Sequence, residues 1–316
     1  MSTKTKQRVL IIAIPIILFL IASVVLVNVV FDSFGFNSHT DYDETFTADD
    51  YGLVGKETDL TTSDNVKIHI YEVVVPEPQG VVIMLSGIKV PSITHFYGQA
   101  KLVQEAGFAS VLVETRGHGK SEGDRVGLAV DDVKDVEAAI EYIKSQPQYK
   151  DLPIVTMGLS MGAATAINSA AVIEDIDAVI TLAAYTSWAD VCKDFLKTNG
   201  LPEIVGYIMR PGIDIHGLLF YGFDYFKYVP EKTIKKIGDK PILIIHCKDD
   251  KSVSVGSAEK LMANYTGSNA ELWIRESGGH LVVQDRAIHD PFDDTEYCEK
   301  ILSFLERVKG SDMLRI

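Results

Sequence analysis

Three patterns of apolar and polar positions follow one another along the chain. From Val9 to Val30 the sequence is almost continuously apolar, interrupted only by Pro15, Ser23 and Asn28. As a helix this stretch reaches about 33 Å, enough to cross a hydrocarbon layer of roughly 30 Å. From Asp32 to Asp50 the chain turns polar and acidic, with Asp41, Asp43, Glu44, Asp49 and Asp50, and reads as a tether or irregular lead-in. From about Tyr51 onward, short β-rich runs alternate with longer helical ones. Val66 to Val75 alternates apolar and polar residues, as a half-exposed antiparallel strand does. Val81–Leu85, Ala109–Val113, Ile154–Met157, Ala178–Leu182, Ile242–Ile245 and Leu272–Ile274 are continuous apolar runs of the kind covered on both faces. Between them, helices are predicted over Phe96–Ala106, Val130–Ser145, Met161–Ile173, Ser257–Tyr265 and Thr295–Val308. Strand–helix alternation with right-handed crossovers implies a mostly parallel, doubly wound α/β sheet. Such sheets bind ligands at the carboxyl ends of their strands.

One interval breaks the rhythm. More than 50 residues separate the strand ending near Ala184 from the one beginning at Pro241, and they are rich in Phe, Tyr, Leu and Ile. Such a connection is too long for an ordinary crossover and too apolar for a disordered loop. It reads as an inserted cap of short helices at 186–238; the competing reading is a crossover helix with extra packing turns. The resulting division is a cytoplasmic N-terminus at 1–8, a transmembrane anchor at 9–31, an acidic tether at 32–50 and a soluble domain at 51–316.

The flanks of the apolar span set its expected orientation. Lys4, Lys6 and Arg8 precede it, and no Lys or Arg follows until Lys56. The positive-inside rule then keeps the N-terminus in the cytoplasm and sends the remainder across the membrane. A cleaved signal peptide would have a shorter apolar core ending at a small-x-small site, and no A-x-A pattern stands between Ile21 and Phe36. With the three flanking basic residues set aside from the 30 in the chain, 27 basic face 44 acidic residues, a net charge of −17. That balance argues against nucleic acid and against an anionic lipid surface as partners. Three cysteines, Cys192, Cys247 and Cys298, form no C-x-x-C or Cys/His ligand pattern, so buried free thiols are expected and no metal site is indicated. Oligomeric state is left open.

Chemistry enters at Gly158-Leu159-Ser160-Met161-Gly162, set between a β-rich run and a small-residue helical run. This is a G-x-S-x-G nucleophile elbow, which presents a serine on a sharp strand-to-helix turn. The helix N-terminus behind Ser160 offers backbone N–H groups to a developing oxyanion. A serine nucleophile needs a base, and the base needs an orienting acid. Of the histidines, those at 39, 69 and 95 come too early for the Ser…Asp…His order the elbow implies. His118 sits in a glycine-rich turn, His216 in the expected cap and His246 at a strand end. His280, in Glu276-Ser277-Gly278-Gly279-His280 before the last helix, is the candidate base. For the acid, the loop after Ile242–Ile245 offers Asp249 and Asp250, with Asp190 as an alternative. Oxyanion donors are expected from Met161 N–H and, in the loop Ser86-Gly87-Ile88-Lys89, from Ile88 N–H.

With these motifs in order, residues 50–310 resemble the α/β-hydrolase superfamily. The resemblance rests on the elbow, on Arg116-Gly117-His118-Gly119-Lys120-Ser121, on the His246–Val253 loop and on Gly278-Gly279-His280. It is closest to the branch of serine aminopeptidase-like and monoacylglycerol-lipase-like hydrolases, which includes membrane-anchored bacterial members. Members commonly read H-G-x-x-D-x-x-V-P at the acid loop, which implies Asp250 as the triad acid, with Asp249 a solvated neighbour. The chain departs from the pattern at Ser86, where an H-G oxyanion motif has histidine, and at Cys247, where glycine follows the loop histidine. The implied enzyme is a membrane-anchored serine hydrolase with the triad Ser160, Asp250 and His280, needing no metal or organic cofactor. Its expected substrate is a small-molecule or lipid-like ester. A peptidase and a catalytically silent binding domain are the alternatives.

Overall fold

A computed structural model of the protein describes residues 3–312, apart from 34, 90, 199 and 201. Eight strands form one sheet: β1 (Gly55–Thr61), β2 (Lys67–Val73), β3 (Gly80–Leu85), β4 (Phe108–Glu114), β5 (Ile154–Leu159), β6 (Ala178–Leu182), β7 (Ile242–Cys247) and β8 (Ala270–Arg275). Their order across the sheet is β1-β2-β4-β3-β5-β6-β7-β8. β2 runs antiparallel to both β1 and β4, and every pairing from β4 to β8 is parallel. This is the α/β-hydrolase fold.

The apolar runs explain the sheet. Every residue of β3, β4, β5, β6 and β7 is buried. Successive side chains point to opposite faces. Val82 and Met84 therefore join a core with Phe96, Leu102, Tyr297 and Phe304, while Val81, Ile83 and Leu85 join one with Val136, Ile140, Ile167 and Leu261. The helices supplying these layers are α2 (Tyr97–Glu105), α3 (Asp132–Ser145), α4 (Met161–Ala170), α9 (Gly256–Asn264) and α10 (Thr295–Asp312). Each falls within a few residues of its expected position.

β1 was not expected. Its sequence, Gly-Lys-Glu-Thr-Asp-Leu-Thr, carries no apolar run because it is the outer strand, largely exposed and paired only with β2. Charged side chains on an edge strand also discourage pairing with other chains. Among the cysteines, Cys247 and Cys298 are buried, but Cys192 is only partly so, a correction to the expected burial of all three.

The N-terminal apolar segment forms one long helix, α1 (Thr3–Ser33), of which Thr5–Asp32 is long and apolar enough to cross a membrane. The acidic segment after it is held against the domain. Thr40 forms a parallel bridge with His118, and the His39 ring lies 2.9 Å from the carbonyl oxygens of both Gly119 and Gly123. Between β6 and β7 lie α5 (Trp188–Thr198), α6 (Glu203–Tyr221), α7 (Asp224–Lys227) and α8 (Pro230–Thr233). Helices α5 and α6 pack on each other, and α6 also packs along α1. Val27 and Phe31 of α1 thereby share one apolar cluster with Trp188, Met209, Ile213 and Tyr225.

Candidate active site

Ser160 lies between the end of β5 and the start of α4 with φ 53° and ψ −110°. That backbone conformation costs a non-glycine residue about 1–3 kcal/mol and persists only where its surroundings enforce it. Here Ser160 N–H donates to Leu182 O at 2.8 Å, and its carbonyl accepts from Ala164 N–H at 3.0 Å. A Cβ on Gly158 would strike the backbone of Gly162, and one on Gly162 would strike the carbonyls of Leu85 and Ser86. The glycines two positions either side of Ser160 thus let strand, helix and the loop after β3 close on the serine.

Asp250 and His280 come together from the loops after β7 and β8. His280 Nδ1–H donates to Asp250 Oδ2 at 2.8 Å. Asp250 is fully buried, and its Oδ1 accepts from Ser252 N–H at 2.8 Å and Val253 N–H at 3.0 Å. Burial alone would raise the carboxyl, but hydrogen bonds from His246 and His280 outweigh it and hold Asp250 well below the ordinary carboxylate range. His280 sits in a single 3-10 turn, Gly279–Leu281, entered through Gly278 at φ 130° and Gly279 at φ 61°. Among the described residues, Ser160 Oγ makes no hydrogen bond to His280. Such bonds are often long before substrate binds.

Three residues have roles in this geometry that the sequence did not reveal. Asp249 is no mere solvated neighbour: its Oδ1 accepts from Gly279 N–H at 2.8 Å, pinning the loop that carries His280. His246 is fully buried at the end of β7, with Nε2 3.0 Å from Val253 O and 3.3 Å from Asp250 Oδ2. The Asp250 carboxylate thus lies between two imidazoles. His118 receives Lys89 N–H on Nε2 at 3.3 Å, while Nδ1 lies 3.1 Å from Arg116 O. Burial pushes the His118 imidazole down to about 4, so it is neutral near pH 7 and can accept that bond. It therefore fixes the residue next to Ile88, in the loop expected to supply the second oxyanion donor. Arg116 anchors the same turn through Asp135 and Asp64, with contacts of 2.7–3.0 Å.

The remaining candidates are occupied elsewhere. Asp190 bonds to Thr186 at 2.6 Å and pairs with Lys193 and Lys260, away from His280. His216 is buried between Phe31 and Phe220, with neither ring nitrogen hydrogen-bonded among the described residues. A cleft of about 230 Å³ opens beneath α6 and α7, lined by Leu128, Tyr185, Trp188, Tyr225 and Phe226, with Asp214 and Glu231 at its polar side. Ser160, Asp250 and His280 do not line it. Met161, however, belongs to the same apolar cluster as Tyr185, Trp188 and Tyr225, so the elbow backs onto the cleft's aromatic wall.

The comparisons with known proteins agree with this fold. Residues 76–208 match the family described as serine aminopeptidase, S33. The Bacillus subtilis (strain 168) protein YqkD is 26% identical over 212 residues, which span 66% of this chain and 66% of that protein. The α/β-hydrolase domain-containing protein WAV2 of Arabidopsis thaliana is 24% identical over 236 residues, 72% of this chain and 73% of its own. Among solved structures, the esterase Pf2001 of Pyrococcus furiosus superposes with a TM-score of 0.67 at 20% identity, covering 85% of this chain and 98% of the esterase. The acylaminoacyl peptidase of Pyrococcus horikoshii superposes with a TM-score of 0.60 at 15% identity, over 81% of this chain and 41% of the peptidase.

Proposed function

We propose that the protein is a membrane-anchored serine hydrolase that cleaves carboxylic esters. The observation that carries this reading is the pairing of the buried Asp250 carboxylate with the partly exposed His280 at 2.8 Å, in a fold whose elbow presents Ser160 in a strained turn. In the mechanism, Ser160 Oγ attacks the ester carbonyl while His280 Nε2 takes its proton. The tetrahedral oxyanion is held by Met161 N–H and Ile88 N–H. His280 then protonates the leaving alcohol, and water, deprotonated by the same imidazole, resolves the acyl-enzyme. Asp250 keeps Nδ1 protonated and stabilises the imidazolium throughout. The acyl group is expected to lie toward the apolar cluster around Met161 and Tyr185. α1 supplies the anchor, and the basic flank before it places the hydrolase domain on the far side of the membrane.

A peptidase reading has support in the family description. An aminopeptidase must hold its substrate's amine with a free carboxylate, and the cleft offers Asp214 and Glu231. Glu231 is already paired with Lys260, and Asp214 lies 3.9 Å from Arg210. The ester reading is therefore preferred.

Its test is a panel of p-nitrophenyl esters of graded acyl length, with an aminoacyl-arylamide beside them, run on wild type and Ser160→Ala. Wild-type ester turnover should fall by about 10³-fold or more in Ser160→Ala. Equal rates in the two proteins would exclude the assignment, and arylamide turnover without ester turnover would select the peptidase.

A further inference from the structure

We infer that cap helix α6 is itself immersed in the bilayer, so that the cap and the anchor form one lipid-embedded unit. The inference rests on reading α1 as a membrane anchor, and extends it to a second element.

Ser23, Val27 and Phe31 lie on one face of α1 at four-residue spacing, and all three are buried. Gly212 of α6 meets Ser23 so closely that a Cβ there would strike the serine hydroxyl and its backbone. One turn later the ring of His216 lies 4.6 Å from that of Phe31. α6 therefore runs alongside α1 in the same direction, and its residues before Gly212 extend toward the middle of the apolar span. Ser23 lies about 22 Å along the helix from Arg8, the last basic residue of the flank. In a hydrocarbon layer roughly 30 Å thick that begins beyond Arg8, Ser23 is about 8 Å inside the far boundary. The first turns of α6 share that depth.

The composition of α6 suits this position. Ile204, Tyr207, Ile208, Leu218 and Leu219 are exposed at 60, 58, 48, 36 and 68% and form one stripe along the helix. Pro211 and Ile215, half-buried, complete it, and no charged residue interrupts it. The opposite face buries Met209, Gly212, Ile213 and His216. Three glycines and a proline within one helix are costly in water but common in membrane-embedded helices, where small residues permit close helix contact. The apolar face adjoins the apolar surface of α1, which fixes the occupant as lipid tails. With a domain this acidic, insertion draws on apolar contact and needs no anionic headgroup.

The test uses the full chain in phosphatidylcholine nanodiscs, with single nitroxides in a Cys192→Ser background and their exposure to oxygen and to a water-soluble nickel chelate compared. Labels are placed at Ile16→Cys in the span, Ile204→Cys and Ile208→Cys on α6, Leu219→Cys further along it, and Lys150→Cys on the far surface. Ile204 and Ile208 are expected to favour oxygen as Ile16 does, Leu219 less so, and Lys150 the reverse. If Ile16 favours oxygen while both deep α6 sites resemble Lys150, the anchor stands and immersion of α6 is refuted. Labels on α6 shielded from both reagents, or broadened by spin–spin coupling, would indicate a second copy and also refute it. If Ile16 itself resembles Lys150, the anchor reading fails and this inference with it.

Discussion

In β3 and β7 every side chain is buried, whereas in α6 the apolar residues divide between an inner face against α1 and an outer face that none of the described residues covers. The sheet satisfies its hydrophobic pattern internally: alternate residues fill two cores, and the polar positions that remain serve the loops at the strand ends. The α1–α6 pair leaves its pattern unsatisfied, with Ile11 and Leu219 exposed at 71 and 68%. On the proposed reading, one chain contains a region suited to water and a region suited to lipid. They meet at Met161, Tyr185 and Trp188, beside the elbow. A substrate that partitions into membranes would find the lipid-suited region adjacent to the hydrolytic one.

The largest expected effect tests the sheet region alone. Asp250→Asn keeps the shape of the acid but loses the carboxylate that fixes the His280 tautomer, so kcat should fall by about 10⁴-fold. Because Asp250 Oδ1 can be replaced by the amide oxygen facing Ser252 N–H and Val253 N–H, the loop should persist. Ester kinetics on the purified full chain, with a circular dichroism spectrum as the control on folding, decide it. A loss below tenfold would remove Asp250 from the triad and return attention to Asp249.

How much of this was legible beforehand follows the same division. The buried strands were plain because continuous Val, Ile and Leu runs have few alternatives, and the parallel sheet followed from their alternation with helices. β1 was hidden because an edge strand needs no apolar run. The elbow and the His280 loop were visible as glycine-bracketed motifs at strand ends. The parts played by Asp249, His246 and His118 were not, since each depends on a single hydrogen bond across 30, 4 and 29 residues of sequence respectively. In the cap, the density of aromatic residues was evident, but composition does not say which face of α6 meets α1. That required the Gly212–Ser23 contact.

An intermediate effect is expected with pH. His118 is buried beside His39 and Lys89, and burial lowers its imidazole from 6.5 to about 4. The unfolded chain binds this proton more readily than the folded one. Its contribution to stability is therefore fully present above pH 6.5 and lost as the pH falls toward 4, a total of about 3 kcal/mol. His118→Gln, which retains an acceptor for Lys89 N–H, should flatten the dependence of unfolding free energy on pH across that window. Urea titrations in detergent, followed by Trp273 on β8, measure it. Parallel pH curves for wild type and His118→Gln would mean that the turn bonded to Lys89 N–H carries no such proton linkage.

The smallest effect asks whether the two regions are separable. The chain has two tryptophans, Trp188 in the cap and Trp273 on β8, so each region carries its own fluorescent reporter. Trp188 lies 6.3 Å from Phe31 and 5.9 Å from Phe36, so its emission senses whether α1 stays seated. Gly212→Val places two methyl groups against Ser23, where even a single Cβ collides, and overpacking of this kind costs about 1–3 kcal/mol. In single-tryptophan variants, Trp188→Phe or Trp273→Phe, Gly212→Val should lower the unfolding midpoint reported by Trp188 and leave that reported by Trp273 unchanged. Movement of both midpoints together would mean that sheet, cap and anchor unfold as one cooperative body. The outward apolar stripe of α6 would then belong to a surface held rigid by the whole molecule, and loosening α1 from α6 would cost the hydrolytic site as well.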